Sequence, residues 1–355
     1  MAKCHHLFLH YNNAIKLSDT KRVSLLQVRD SLRMRMRNNY YQIPIDDRKQ
    51  IEIYFQSQGS FVMDTIIKPE KADFDLDDGV YFQGTLKEVE RPEPKIFHNW
   101  IVRAIATNND YEKVEDKPTC VRVKYKHGFH IDIPIYYASN FDSPDLAETN
   151  KGWILSNPVE FIAWFEEKAQ SGFQKAFLYE ALKYAEPYEK WLSDMRKKDC
   201  QLRRLVRYMK AWADLKRSEM PCGIIMTILV ANNFVANDAD DVAMRNTLVN
   251  IKNYLLDNGY KCPRPTSPVG EDLFASTSQN DKDYFMNALN GLIQSSTKAI
   301  NAVNEKEACL EWEKHFGSRF PCQLATETPV VVKNGPSLES LRRTASVSTP
   351  WSPKS

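Results

Sequence analysis

The stretch QGSFVMDTIIKPEKADFDLDDGVYF, Gln58 to Phe82, constrains this chain more than any other. Four of its aspartates, Asp73, Asp75, Asp77 and Asp78, run straight into Gly79-Val80-Tyr81-Phe82, which reads as β-strand. Side chains two apart on a strand share a face, so Asp75 and Asp77 project together, Asp73 extends the row and Asp78 points the other way. Parallel carboxylates repel unless a cation lies between them, and a hard divalent ion such as Mg²⁺ takes oxygen ligands. An EF-hand calcium loop opens with the same D-x-D-x-D spelling. Counted from Asp73, however, its glycine position holds Asp78 and its closing glutamate position holds Gly84. The calcium loop fails at both.

A third carboxylate stands in GFHIDIPIYY, where Ile131, Ile133 and Ile135 alternate with His130, Asp132 and Pro134. That alternation describes a half-buried strand with Asp132 on its polar face. Three acids from two neighbouring strands can hold two Mg²⁺ ions roughly 3.5–4 Å apart, a pair that activates a hydroxyl and stabilises leaving pyrophosphate. The plainer alternative is that Asp132 caps or pairs with Lys124 or Lys126. Upstream, the apolar residues Ile51, Ile53 and Phe55 lead into Gly59-Ser60, a turn whose backbone N–H groups and hydroxyl suit phosphate oxygens. A Gly-Ser pair alone is more often a plain turn; its place ahead of the acids raises it.

The rest of the chain divides in character. From Ser18 onward a helix capped by Ser18 or Asp19 is followed by strands, the helix PKIFHNWIVRAIATN and two strands joined near His127-Gly128. After Asn157-Pro158 comes helix upon helix, the last closed by Gly317. This predicts an α/β unit over 1–155, a helical unit over 156–324 and a disordered Ser/Thr/Pro/Lys-rich tail over 325–355. In the helix DCQLRRLVRYMKAWADLK, Arg203, Arg207, Lys210 and Asp214 share one face, while Leu202, Leu205, Val206 and Met209 fill much of the other. A solvated charged face is the bland alternative for the first set.

A net charge of +2 over 355 residues excludes a histone-like nucleic-acid binder. The seven cysteines form no C-x-x-C pair and suit a reducing compartment better than a disulfide framework. No Cys/His cluster has structural-zinc spacing. The first residues carry too short an apolar run for a signal peptide, and no stretch is long enough for a membrane span. A cytoplasmic protein without membrane contact is expected.

The order G-S, D-x-D, then an acid between apolar residues resembles the nucleotidyltransferase superfamily with a polymerase-β-like core. With QGSF, DLDDGVYF, FHIDIPIYY, LVRYMKAW and HFGSRFP in sequence, the chain resembles the bacterial cGAS/DncV-like nucleotidyltransferases from about Ser18 to Pro321. D-x-D-D-G and HIDIP look most like the DncV-type branch. These enzymes make cyclic oligonucleotide second messengers in antiphage defence. The resemblance implies an α+β fold: a mixed twisted sheet with flanking helices, packed against a C-terminal helical domain, with the active site in the cleft between.

It also implies roles. Asp75, Asp77 and Asp132 become catalytic ligands of two Mg²⁺ ions, with Mn²⁺ as a substitute. Gln58, Gly59 and Ser60 touch the nucleotide triphosphate, and Lys210 matches the lysine that such enzymes use on the donor phosphates. Arg122 is a weaker candidate for phosphate contact. Asp272, in PRPTSPVGEDLF, lies in a loop that resembles one reaching the base. The substrates implied are nucleoside triphosphates, ATP and/or GTP, joined into a cyclic di- or trinucleotide that a downstream effector senses. An exposed end such as STPWSPKS is compatible with attachment by a ubiquitin-transfer-like partner. Where relatives often place a serine at the start of the helix after the lysine helix, this chain has Cys222-Gly223. The zinc-binding insertion of the animal DNA sensor is absent, and no strongly basic surface implies activation by duplex DNA. Two other functions stay open: an RNA- or tRNA-tailing transferase, to which the basic run RMRMR could contribute, and a non-catalytic nucleotide-binding protein.

Overall fold

A computed structural model describes residues 4–44, 51–70, 73–105, 110–126, 128–139, 143–170, 199–216 and 219–327. The tail from 328 onward, with STPWSPKS, lies outside them, as does His127 of the anticipated turn.

Strand β1 (Glu52–Ser57) leaves the short helical turn Gly59–Val62 at its end, and β2 (Phe74–Gln83) carries the acids. Further strands are β3 (Tyr111–Lys117), β4 (Cys120–Tyr125), β5 (Phe129–Ala138) and the hairpin of β6 (Asp145–Glu148) and β7 (Gly152–Leu155). The sheet runs β1-β2-β5-β4-β3, with β6 and β7 continuing from β5. Its axis is the parallel pair β2–β5; β1 and β4 flank that pair in antiparallel register. The central strand β5 is buried along almost its whole length, which the β-branched Ile131, Ile133 and Ile135 suit.

Helices α1 (His5–Ile15) and α2 (Asp19–Tyr40) precede the sheet. The side chain of Ser18 caps α2 by accepting from Lys21 N–H at 3.3 Å. One face of the sheet is covered by α2 and by the helix Pro94–Ile105. There Leu25, Leu32, Met36 and Tyr40 meet Phe82, Phe97 and Trp100 in a single apolar cluster. The opposite face carries Asp75 and Asp77 of β2 with His130 and Asp132 of β5.

The helical half consists of Pro158–Lys168, Gln201–Asp214, Gly223–Asn233, Asp240–Asp257, Gln279–Asn301 and Glu305–Phe316. Asn157 caps the first of these, accepting from the N–H groups of Val159 and Glu160. Gly317 ends the last at φ 69°, a left-handed conformation that glycine tolerates. Trp212, Trp312, Phe316 and Phe320 form its core, and α1 joins them: Phe8 meets the Trp312 ring edge-on at 4.8 Å. The leader therefore contains a helix packed into the helical half's core, although it precedes the sheet in sequence.

Two other findings differ from expectation. Cys309 and Cys322 form a disulfide, although the dispersed cysteines pointed to free thiols. The solvated face weighed as an alternative for Gln201–Asp214 fails at its two arginines, while Lys210 and Asp214 are half-buried. Arg203 and Arg207 are fully buried, Arg203 paired with Glu166 and Arg207 with Asp199, because neighbouring segments supply the counter-charges. No helix among the described residues is long and apolar enough to cross a membrane.

Candidate active site

In the β2–β5 pair Asp75 stands beside His130 and Asp77 beside Asp132. Register partners on parallel strands share a face, so all four side chains rise from the uncovered side of the sheet. One ligand atom from each of Asp75, His130 and Asp132 lies within 4.8 Å of the others, and His130 Nε2 is 3.1 Å from Asp75 Oδ1. Asp78 points the other way, as its place on the strand demands. It is buried and paired with Arg33 of α2, while Ser57 Oγ donates to it at 2.9 Å. The fourth aspartate therefore ties β2 to α2.

The turn after β1 is fitted to these acids. Gly59 has φ +65°, and a Cβ there would meet Asp77 Oδ2 at 2.1 Å, so no side chain fits. The N–H of Gln58 donates to the Asp77 carbonyl at 3.0 Å, extending the β1–β2 ladder. The glycine of D-x-D-D-G has its own reason: a Cβ on Gly79 would meet Gln58 Nε2 at 1.8 Å. Gln58 is buried and its Oε1 accepts from Tyr136 at 3.2 Å. Its Nε2, also buried, has no partner among the described residues.

The segment after Ser60 is gripped from both halves. Arg22 of α2 donates to the Phe61 carbonyl at 3.2 Å and pairs with Asp64, and Arg207 donates to the Asp64 carbonyl at 3.0 Å. Lys210, one turn beyond Arg207, places Nζ 3.3 Å from both the carbonyl and the hydroxyl of Thr65. Gly223 lies beneath it: a Cβ there would stand 3.4 Å from Lys210 Cε. That is ordinary van der Waals contact, so the glycine of the Cys222-Gly223 departure is not required by the position of the lysine.

Electrostatically the cluster is divided. Burial disfavours the charged form of Asp75, but the His130 ring, Arg122 and Lys210 outweigh it and hold that carboxyl below the usual range. Burial and then the charges of Asp75 and Asp132 push Asp77 well above it. Burial lowers the Lys210 ammonium to about 8, with Asp77 and Asp75 opposing.

Two cavities meet here. One of about 470 Å³ is lined by Thr65, Asp73, Asp214 and Pro221, the other of about 370 Å³ by Gln58, Asp77, Tyr136 and Phe161. Ser60, Asp75, Lys210 and Gly223 line both.

Two anticipated ligand-binding residues are placed differently. Both oxygens of Asp132 are bound by Arg122, at 2.5 and 2.6 Å, so the partner of Asp132 is neither Lys124 nor Lys126 and the guanidinium faces an acid rather than an open cavity. Asp272 lines neither cavity. Its Oδ1 closes its own loop, accepting from the N–H groups of Cys262 and Phe274 at 2.9 and 3.0 Å. The same loop instead presents Arg264, Thr266 and Ser267 to the smaller cavity. His130 is the residue that pattern reading passed over, and its signal was present, two places before Asp132 on the same polar face.

A mixed sheet backed by helices, with acids on its open face and a helical domain across a cleft, defines a nucleotidyltransferase fold. Two family profiles match the chain: the nucleotidyltransferase domain of cyclic GMP-AMP synthase DncV-like proteins over residues 53–136, and the cyclic GMP-AMP synthase C-terminal domain over 199–328. The chain belongs to the bacterial cGAS/DncV-like nucleotidyltransferase family. It is 27% identical over 281 residues to a c-di-GMP synthase of Roseivirga ehrenbergii, covering 74% of this chain and 71% of that protein. It is likewise 27% identical over 300 residues to a cyclic GMP-AMP synthase of Escherichia coli, covering 75% and 67%. The crystal structure of Vibrio cholerae DncV cyclic AMP-GMP synthase has the same fold, with a TM-score of 0.70 at 20% identity over 92% of this chain and 100% of that one.

Proposed function

We propose that the protein joins two purine nucleoside triphosphates into a cyclic dinucleotide with release of pyrophosphate. The observation that carries this is the pair of cavities sharing a wall at Ser60, Asp75 and Lys210, room for a donor and an acceptor at one set of carboxylates. Relatives described as c-di-GMP and cyclic GMP-AMP synthases support ATP and GTP as substrates.

Asp75, Asp77 and Asp132 are suited to hold two Mg²⁺ ions, since a divalent cation would offset both the burial and the like charges that push Asp77 up. Such ions, once bound, lower the pKa of an attacking hydroxyl and neutralise charge on the leaving pyrophosphate. His130 beside Asp75 adds a nitrogen donor that also accommodates Mn²⁺. The protein's own part is placement. Lys210 meets the donor phosphates, the hydroxyl of Ser60 a phosphate oxygen, and the unpartnered Gln58 amide an acceptor on the nucleotide. After the first bond forms, the linear dinucleotide must turn round in the cleft for closure.

In this reading the product is a second messenger in antiphage signalling, read by a separate effector, and the likeness to cyclic dinucleotide synthases supports it. Incubation with Mg²⁺ and the four nucleoside triphosphates, without primer, tests the chemistry. A phosphatase-resistant cyclic product and pyrophosphate are expected. Extension of added RNA without cyclic product, or no turnover with any mixture, would overturn it.

A further inference from the structure

We propose that Arg122 is a resident cation that occupies Asp132 in the nucleotide-free protein and that a divalent metal must displace from it. The inference rests on the metal assignment proposed above.

Asp132 lies between opposite charges. On one side its register partner is Asp77 on β2, and on the other it is Arg122 on β4. The contact with Arg122 is the two-pronged form, Nε to Oδ1 and Nη2 to Oδ2, at 2.5 and 2.6 Å. Adjacent backbone ladders fix both residues, Asp132 is buried, and the Arg122 side chain is only 21% exposed. A carboxylate whose two oxygens are both held by a guanidinium offers its remaining lone pairs in poorer directions. A metal arriving at Asp75 and His130 therefore meets a third ligand that is already neutralised, beside a fixed positive charge. Arg122 stays charged at any working pH, so neither obstacle titrates away. Partners that merely orient a metal ligand behave in the opposite sense, since their loss weakens metal binding.

The test is Mn²⁺ binding to the nucleotide-free protein, followed by electron paramagnetic resonance, with the Asp75→Asn/Asp77→Asn double variant marking which binding belongs to the cluster. Arg122→Gln is expected to bind cluster Mn²⁺ about tenfold more tightly than the unmodified protein. Arg122→Lys, which keeps the charge and loses the fork, should fall between. Equal or weaker binding by Arg122→Gln overturns the inference while leaving the metal assignment standing. Cluster binding absent from every form overturns both. A measurement without substitution guards against misfolding: the Arg122 Nε–H resonance should shift on Mg²⁺ saturation, and an unmoved resonance in protein that binds the metal contradicts displacement.

Discussion

The spelling Asp-x-Asp-Asp occurs twice in this chain, as Asp75-Leu76-Asp77-Asp78 and as Asp238-Ala239-Asp240-Asp241, and the two copies have opposite fates. The second opens the helix Asp240–Asp257, where acids complement the positive end of the helix. Arg204 grips both oxygens of Asp240 at 2.7 and 2.8 Å, Tyr208 and Gln201 also donate to it, and Asp241 accepts from the N–H of Cys4 at 2.8 Å. The first lies on a strand whose neighbour adds Asp132 rather than a cation. Burial disfavours charge at both Asp240 and Asp77. Arg204, Gln201 and Tyr208 overcome it at Asp240 and hold that carboxyl below its usual range, whereas Asp75 and Asp132 add to it at Asp77. The second set is answered by its neighbours; in the first, Asp78 has Arg33 and Asp75 has His130, and Asp77 alone is left buried beside two like charges.

The sharpest break between the two copies is in turnover. Asp75→Ala and Asp77→Ala should each lower nucleotidyl transfer about a thousandfold or more. Asp240→Asn should leave the rate per folded molecule nearly unchanged, and comparable losses at both sites would erase the distinction. Asp240→Asn should instead destabilise the fold by about 3 kcal/mol, because half-buried Arg204 loses the fully buried carboxylate that both its nitrogens hold, an effect read from denaturant midpoints. Next comes Lys210, charged below about pH 8 and neutral above it. Metal-free binding of a triphosphate analogue should therefore be strongest below that value and fall about tenfold as pH rises through it. Lys210→Met should bind weakly at every pH, and a wild-type profile flat to pH 9 would contradict the assignment. The smallest effect has the opposite sign. Asp77→Asn should stabilise the metal-free protein by roughly 1 kcal/mol by removing like-charge repulsion. A lower melting temperature would show that Asp77 is already satisfied.

Much of the first copy was legible because strand periodicity fixes which side each acid faces, so Asp75, Asp77 and Asp78 sorted correctly. The counter-charges were not legible. Arg122, Arg33 and Arg204 find their acids across ladders and helix contacts that local spacing does not encode. The edge strand Tyr111–Lys117 is largely polar and half exposed, and the hairpin Asp145–Leu155 sits in a stretch of turn-forming residues, so neither carries a strong apolar alternation. Helix α1 is anchored by residues hundreds of positions away, such as Trp312 and Asp241. Asp272 looked functional by loop position, but an aspartate can equally close its own turn.

The most direct measurement is an anomalous difference map from crystals grown with Mn²⁺ and a non-hydrolysable nucleoside triphosphate. Peaks are expected among Asp75, Asp77 and Asp132, with triphosphate oxygens between the metals and Lys210. Manganese located away from these carboxylates, or the triphosphate bound with the three acids unligated, would contradict a metal-dependent active site on this strand pair.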